Sequence, residues 1–186
     1  MKTCRLHKKQ TQAKLNIQVT VNMGSEWFNN MCGISLTDEQ MEIVPHSTTE
    51  LGIHVTTKFV QAFGLIGTLM VGPIVASTNV NTRNWEGMKE SMTSKGTGGL
   101  ILGMAVGPIL TMYLMRNEDD YKIWDRCYRL RNSKNQVRVD QDSVIGAVVG
   151  AGVGSYTGNG AVFGGLLGMS GGIILATIYN SAKSKK

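Results

Sequence analysis

The sequence predicts an all-α membrane protein, four transmembrane helices packed through small-residue, GxxxG-type faces. Three observations carry that expectation. No Asp, Glu, Lys or Arg occurs in the forty residues from Ser143 to Ala182. Eleven of the 23 glycines fall between Gly146 and Gly172. Two ladders recur at every fourth position, Gly146, Gly150, Gly154 and Gly158, then Gly160, Gly164, Gly168 and Gly172, with Ala176 continuing the second. A spacing of four stacks residues on one face of an α-helix, so each ladder is a groove that admits a second backbone. In water each such glycine costs a helix about 1 kcal/mol relative to alanine. In lipid, helix is the state that pairs every N–H and C=O internally, and small residues let two helices touch. The stretch therefore reads as a membrane hairpin that turns at Thr157, Gly158, Asn159 and Gly160.

In chain order, residues 1–50 form a polar extension. Residues 1–22 hold Lys2, Arg5, Lys8, Lys9 and Lys14, with no acidic residue before Glu26. That composition fits a transit peptide or a basic tail, with Met23 as an alternative start. Trp27 to Glu50 is a mixed stretch with Pro45, read as a surface helix or loop before the membrane. The membrane domain is expected over 51–182, its first span over 56–77. Phe59 to Thr82 is uncharged, Gly64, Thr68, Gly72 and Ala76 form a small-residue row, and Lys58 stands where a long side chain snorkels to an interface. Gly72-Pro73 is a break that membrane helices tolerate.

A polar loop from Asn79 to Lys95 leads to the second span, 96–115, with Gly99, Gly103 and Gly107 on one face. Val106-Gly107-Pro108-Ile109 repeats Val71-Gly72-Pro73-Ile74, so both helices are expected to kink at similar places. Residues 116–142 read as a basic loop in which Tyr121, Trp124 and Tyr128 intersperse the charges. Arg126, Arg129, Arg131, Lys134 and Arg138 within it are candidates to hold an anionic lipid such as cardiolipin, and a solvated loop helix is the alternative. The last two spans are expected over 143–158 and 160–181. The uncharged arm from Ser143 to Tyr156 rises only about 21 Å, short of a hydrocarbon core of about 30 Å. Either its helix continues past Gly158 or the bilayer is thin there. Residues 183–186 form a basic tail.

Little in the chain points to chemistry. Cys4, Cys32 and Cys127 fit no metal or CxxC spacing, and His7, His46 and His54 are scattered. Gly150 to Ser155 looks like a dinucleotide-binding loop, but its third glycine is replaced by Ser155 and no acidic residue follows Asp142. No cofactor and no metal are expected. His54 with Asp142 or Cys127 is the best enzymatic grouping, without a recognisable spacing, and the chain is read as not an enzyme. The cations flank spans rather than forming one face of a soluble domain, which argues against nucleic acid.

With four spans the termini share a side with the central loop, and that side holds fifteen of the 19 Lys and Arg residues. The bias places the termini in the matrix or cytoplasm.

The segments Tyr128-Arg129-Leu130-Arg131, Asp142-Ser143-Val144-Ile145-Gly146-Ala147 and Gly168-Met169-Ser170-Gly171-Gly172-Ile173-Ile174-Leu175-Ala176 resemble the second half of the mitochondrial inner-membrane translocase family. The resemblance covers roughly residues 52–180. It implies four glycine-zippered helices, with Gly146, Gly150, Gly154, Gly164 and Gly168 as packing glycines and Asp142 at the junction of loop and helix. That family includes the subunits of the protein-import channel and an accessory subunit of respiratory complex I. Here the loop through Asn132 to Asp140 is longer than the family's short acidic turn, and the N-terminal extension is not a family feature. The family keeps its termini in the intermembrane space, opposite to the charge bias, so orientation stays open.

These readings converge on a multi-pass protein of the mitochondrial inner membrane. It is expected to be a non-catalytic accessory subunit of complex I or of its assembly, or alternatively a subunit of the import translocase. Its partners are the bilayer and other membrane subunits. Leucine at Gly150 or Gly164 is expected to break helix contact, and alanine there to be nearly tolerated.

Overall fold

The computed structural model describes residues 29–30, 34, 37–42, 44, 46–78 and 80–184, and every regular element among them is helical. The elements are α1 (Asp38–Glu42), α2 (Ser47–Ile66), a π-helical turn (Gly67–Val71), α3 (Gly72–Thr78), a short 3-10 turn (Val80–Thr82), α4 (Trp85–Met115), α5 (Asp120–Asn132), α6 (Lys134–Tyr156) and α7 (Ala161–Ser184). The basic extension at 1–22, with Cys4 and His7, and also Cys32, lie outside the described residues.

Among the described residues three helical runs are long and apolar enough to cross a membrane: Ser47–Thr78, Trp85–Met115 and Ala161–Ser184. α6 differs because Lys134, Arg138, Asp140 and Asp142 occupy its first nine positions. Both early helices start sooner than the uncharged runs do. α4 begins at Trp85 because Asn84, in an extended conformation, accepts a hydrogen bond from the Gly87 N–H at 2.7 Å, a side-chain cap that fixes the start. The stretch read as a basic loop, 116–142, is mostly helical. Ile123, Cys127 and Leu130 recur at helical spacing and pack with Val44, Leu51, Val55 and Met115, so α5 is an amphipathic connector whose apolar stripe is hidden among charges.

The long helices form two antiparallel hairpins. In the first, α2, the π turn and α3 run against α4; in the second, α6 runs against α7. α7 also lies against both helices of the first hairpin, with Phe163, Leu166, Met169 and Ala176 buried. Trp85 meets Phe163 edge-on at 6.1 Å.

The two Gly-Pro repeats differ in local backbone structure. Pro73 has no N–H to give the Leu69 carbonyl. Just ahead of it the chain takes a π turn, in which the Gly72 N–H reaches back five residues to the Gly67 carbonyl. This turn presents Gly67 to the Lys95 carbonyl and to Gly96. Pro108 sits inside an unbroken α4.

Candidate functional site

The glycines come first, because they set where everything else lies. A Cβ built at Gly146, Gly150, Gly164, Gly168 or Gly172 would fall under 3.0 Å from a backbone oxygen of the facing helix, and one at Gly154 as close to the Gly160 oxygen in the turn. Gly146 faces Gly168, Gly150 faces Gly164 and Gly154 faces Gly160. In the first hairpin Gly99 meets the Phe63 carbonyl, Gly103 meets Val60 and Gly107 meets Thr56, while Gly72 meets the backbone of Met92. Gly64 instead meets side-chain ends, Leu100 Cδ2 at 2.5 Å and Met169 Cε at 2.8 Å.

Gly158 and Gly160 require correction as packing positions. They lie in the turn with φ of 73° and 95°, and a Cβ on either would touch nothing within 4 Å. Their need for glycine is conformational. The expected tolerance of alanine at Gly150 and Gly164 is corrected too, since the first carbon added already meets backbone. Gly67 and Gly96, which the ladders omit, are buried at the crossing of α4 with the π turn.

Where the two hairpins meet, α2 and α6 share a polar cluster that sequence reading missed. Asp140 Oδ1 accepts from Lys58 Nζ at 2.5 Å and from Gln61 Nε2 at 2.9 Å. Gln61 Nε2 also donates to Ser143 Oγ at 2.8 Å, and Ser143 Oγ–H donates to the Asp140 carbonyl at 2.8 Å. His54 Nδ1 stands 3.8 Å from Asp140 Oδ2, and its Nε2 lies 3.1 Å from Gln136 Oε1. Gln61, Asp140 and Ser143 are all buried. His54 with Gln136, Lys58 with Asp140 and Gln61 with Ser143 are each separated by 82 residues. A constant offset means that α2 and α6 run parallel here, in register. The spacings of four and then three, at 54, 58, 61 and again at 136, 140, 143, were the available signal.

One turn earlier on α2, Glu50 takes a two-pronged grip from Arg131, Nε and Nη2 each at 2.6 Å. Arg131 is 5% exposed and also donates to the Gln40 carbonyl at 3.2 Å. The ladder Glu50, His54, Lys58, Gln61 thus ties α2 to the connector and to α6. A cavity of about 30 Å³ between Glu50, His54, Cys127, Arg131 and Asp140 has room for about one water molecule.

The five candidate lipid cations do not converge. Arg131 is consumed by Glu50. Arg126 pairs with Glu118 at 2.9 Å and Arg129 pairs with Asp125. Arg138 donates to Asn180 Oδ1 at 2.7 Å and lies 4.6 Å over the Tyr179 ring. Lys134 and Arg138 line one polar cleft together with Arg131 and Asp38, whereas Arg126 and Arg129 do not line it. The enzymatic grouping is also rearranged, since His54 lies by Asp140 and not Asp142. Cys127 Sγ–H donates to the Ser47 carbonyl at 3.1 Å. Burial, reinforced by the Glu50 carboxylate, pushes this thiol up to about 11, so it is neutral at physiological pH. Ser143 spends its proton on a backbone carbonyl. Among the described residues no group of three or more His, Cys, Asp or Glu is placed to hold a metal. The cluster's hydrogen bonds join α2 to α6.

Residues 27–179 match the family described as Protein of unknown function (DUF1757). The chain belongs to that family. The matched residues take in the first hairpin, the connector, the polar cluster and the second hairpin as far as Tyr179. No curated protein matches the chain.

Proposed function

We propose that this DUF1757 chain is a non-catalytic structural subunit of a mitochondrial inner-membrane assembly, with respiratory complex I or its assembly as the leading host. In this reading four helices cross the bilayer through glycine-faced contacts, the short apolar arm of α6 included. The observation that carries it is the contact of α6 with α7, glycine against glycine at Gly146–Gly168 and Gly150–Gly164. The two backbones touch at these rungs, an open, mostly apolar groove of about 780 Å³ runs alongside them between Val149 and Leu175, and Val148, Ile178 and Met112 are exposed on the outer surface. An exposed apolar exterior around a tightly closed seam suits lipid and neighbouring subunits. The choice of complex I rests on the sequence resemblance to the translocase family. Solubilise mitochondrial membranes in mild detergent and resolve native complexes. Comigration with a large respiratory assembly is the expected result, and migration only as a small free species overturns it.

A subunit of the import translocase is the second reading, favoured by the open, threonine-bearing groove beside Thr56 and Thr57. Against it, the Thr56, Thr57, Ser155 and Thr157 hydroxyls donate to carbonyls of their own helices and Gln61 is tied to Asp140. Crosslinking an arrested precursor to these helices would establish this reading, and its absence would remove it.

A further inference from the structure

We propose that the groove between the start of α2 and the end of α4 is a site for one anionic phospholipid, with its headgroup on Arg116 and an acyl chain laid along the groove. The inference rests on the membrane reading above. The groove is open and encloses about 920 Å³. Thr48, Thr49 and Ile53 wall one side and Met112, Tyr113 and Arg116 the other.

Arg116 is exposed and has no carboxylate or hydrogen-bond partner among the described residues. Its neighbours in the connector differ: Arg126, Arg129 and Arg131 each hold a carboxylate. The mouth of the groove therefore carries an exposed guanidinium without an ion pair among the described residues, beside the exposed Thr48 and Thr49. Further in, the Thr56, Thr57 and Thr111 hydroxyls are satisfied by the carbonyls of Gly52, Ile53 and Gly107, which leaves a wall that asks for no polar partner. Arg116 directly follows the uncharged run of α4, at the edge of the hydrocarbon as that helix defines it. From Arg116 back to Pro108 the groove runs about 12 Å, and half of a bilayer's hydrocarbon core is about 15 Å. A cationic mouth over an apolar trough one leaflet deep fits a phospholipid of that leaflet.

The test uses the full chain in mild detergent, incubated with equal amounts of phosphatidylglycerol and phosphatidylcholine, and retained lipid is read by native mass spectrometry. Wild type is expected to keep one phosphatidylglycerol with a preference of about fivefold, the scale of one cation's pull on an anionic headgroup. R116Q should keep lipid without preference. Gly52→Leu should exclude it, because a Cβ at Gly52 makes only an ordinary 3.6 Å contact with Thr111 Cγ2 and the longer side chain fills the trough. R126Q, which alters a paired cation outside the groove, should behave as wild type. Equal retention of both lipids by wild type, a preserved preference in R116Q, retained lipid in Gly52→Leu, or a preference lost in R126Q would each overturn the site. Thermal melting of each variant separates lost lipid from lost fold. Release of the chain by alkaline carbonate, without detergent, would instead defeat the membrane reading on which the site rests.

Discussion

The two hairpins use glycine in different ways. Between α6 and α7 the contact is reciprocal: Gly164 is needed by the Gly150 backbone and Gly150 by the Gly164 backbone. Between α2 and α4 it is mostly one-sided. Gly99, Gly103 and Gly107 of α4 receive the backbone of Phe63, Val60 and Thr56, which carry side chains of their own. The second hairpin therefore has no slack along its seam, whereas the first has positions such as Gly64 where flexible side-chain ends are all that must move. A glycine ladder in sequence marks close approach, but the residue opposite it decides how strictly each rung is required.

The sharpest way to break this contrast is Gly164→Leu, expected to abolish accumulation of the folded chain, set against Gly98→Leu, which faces open space and should accumulate normally. Membrane-fraction immunoblots read both, and equal levels would mean that the α6–α7 seam is not closed in the membrane.

Next in size is the tie between the hairpins. Lys58→Met leaves Asp140 buried without its cation, a class of change that costs about 3–5 kcal/mol when the pair is fully buried. Lys58 is partly exposed, so the lower end of that range is expected. Adding Asp140→Leu should recover most of the loss in detergent melting, and no recovery would show that the pair does not hold the hairpins together.

Alanine gives the finer comparison. Gly150→Ala should destabilise by about 1–3 kcal/mol, the usual scale of overpacking, while Gly64→Ala, which meets only the ends of Leu100 and Met169, should be milder. Chemical denaturation of the two variants in detergent tests the order, and the reverse order would refute it. Gly158→Ala should cost about 1–2 kcal/mol through its positive φ alone, without loosening the seam.

The smallest effect expected concerns Cys127. With the folded thiol near 11 and the unfolded one near 9.0, the native state holds its proton longer. Its contribution to stability is complete below the unfolded value and declines as pH rises from there towards 11. At pH 8 Cys127 in the native chain should react with iodoacetamide roughly a hundredfold more slowly than the same thiol in the unfolded chain, as the thiolate fraction sets the rate. Equal rates would place the connector away from α2.

Much of the fold was legible in local spacing. The fourfold glycine rows, the uncharged runs and the turn at Thr157 to Gly160 were visible because each is a short-range pattern. The same short range did not separate a loop from a loop helix over residues 116–142, where a dense set of charges hid the stripe Ile123, Cys127, Leu130, and it counted Gly158 and Gly160 as rungs because spacing does not reveal φ. Asp140 read only as the end of a long loop and Arg131 as a candidate lipid contact, yet their partners stand 82 and 81 residues away.

By itself the sequence determined that the chain is helical and in which segments apolar surface dominates, since periodicity and charge distribution are properties of neighbouring residues. Tertiary structure alone decided which glycines meet backbone, which cations remain unpaired and where the buried carboxylate finds its lysine. Those depend on which helices lie side by side, and the free energy of a close contact or a buried charge is set by the group across the interface.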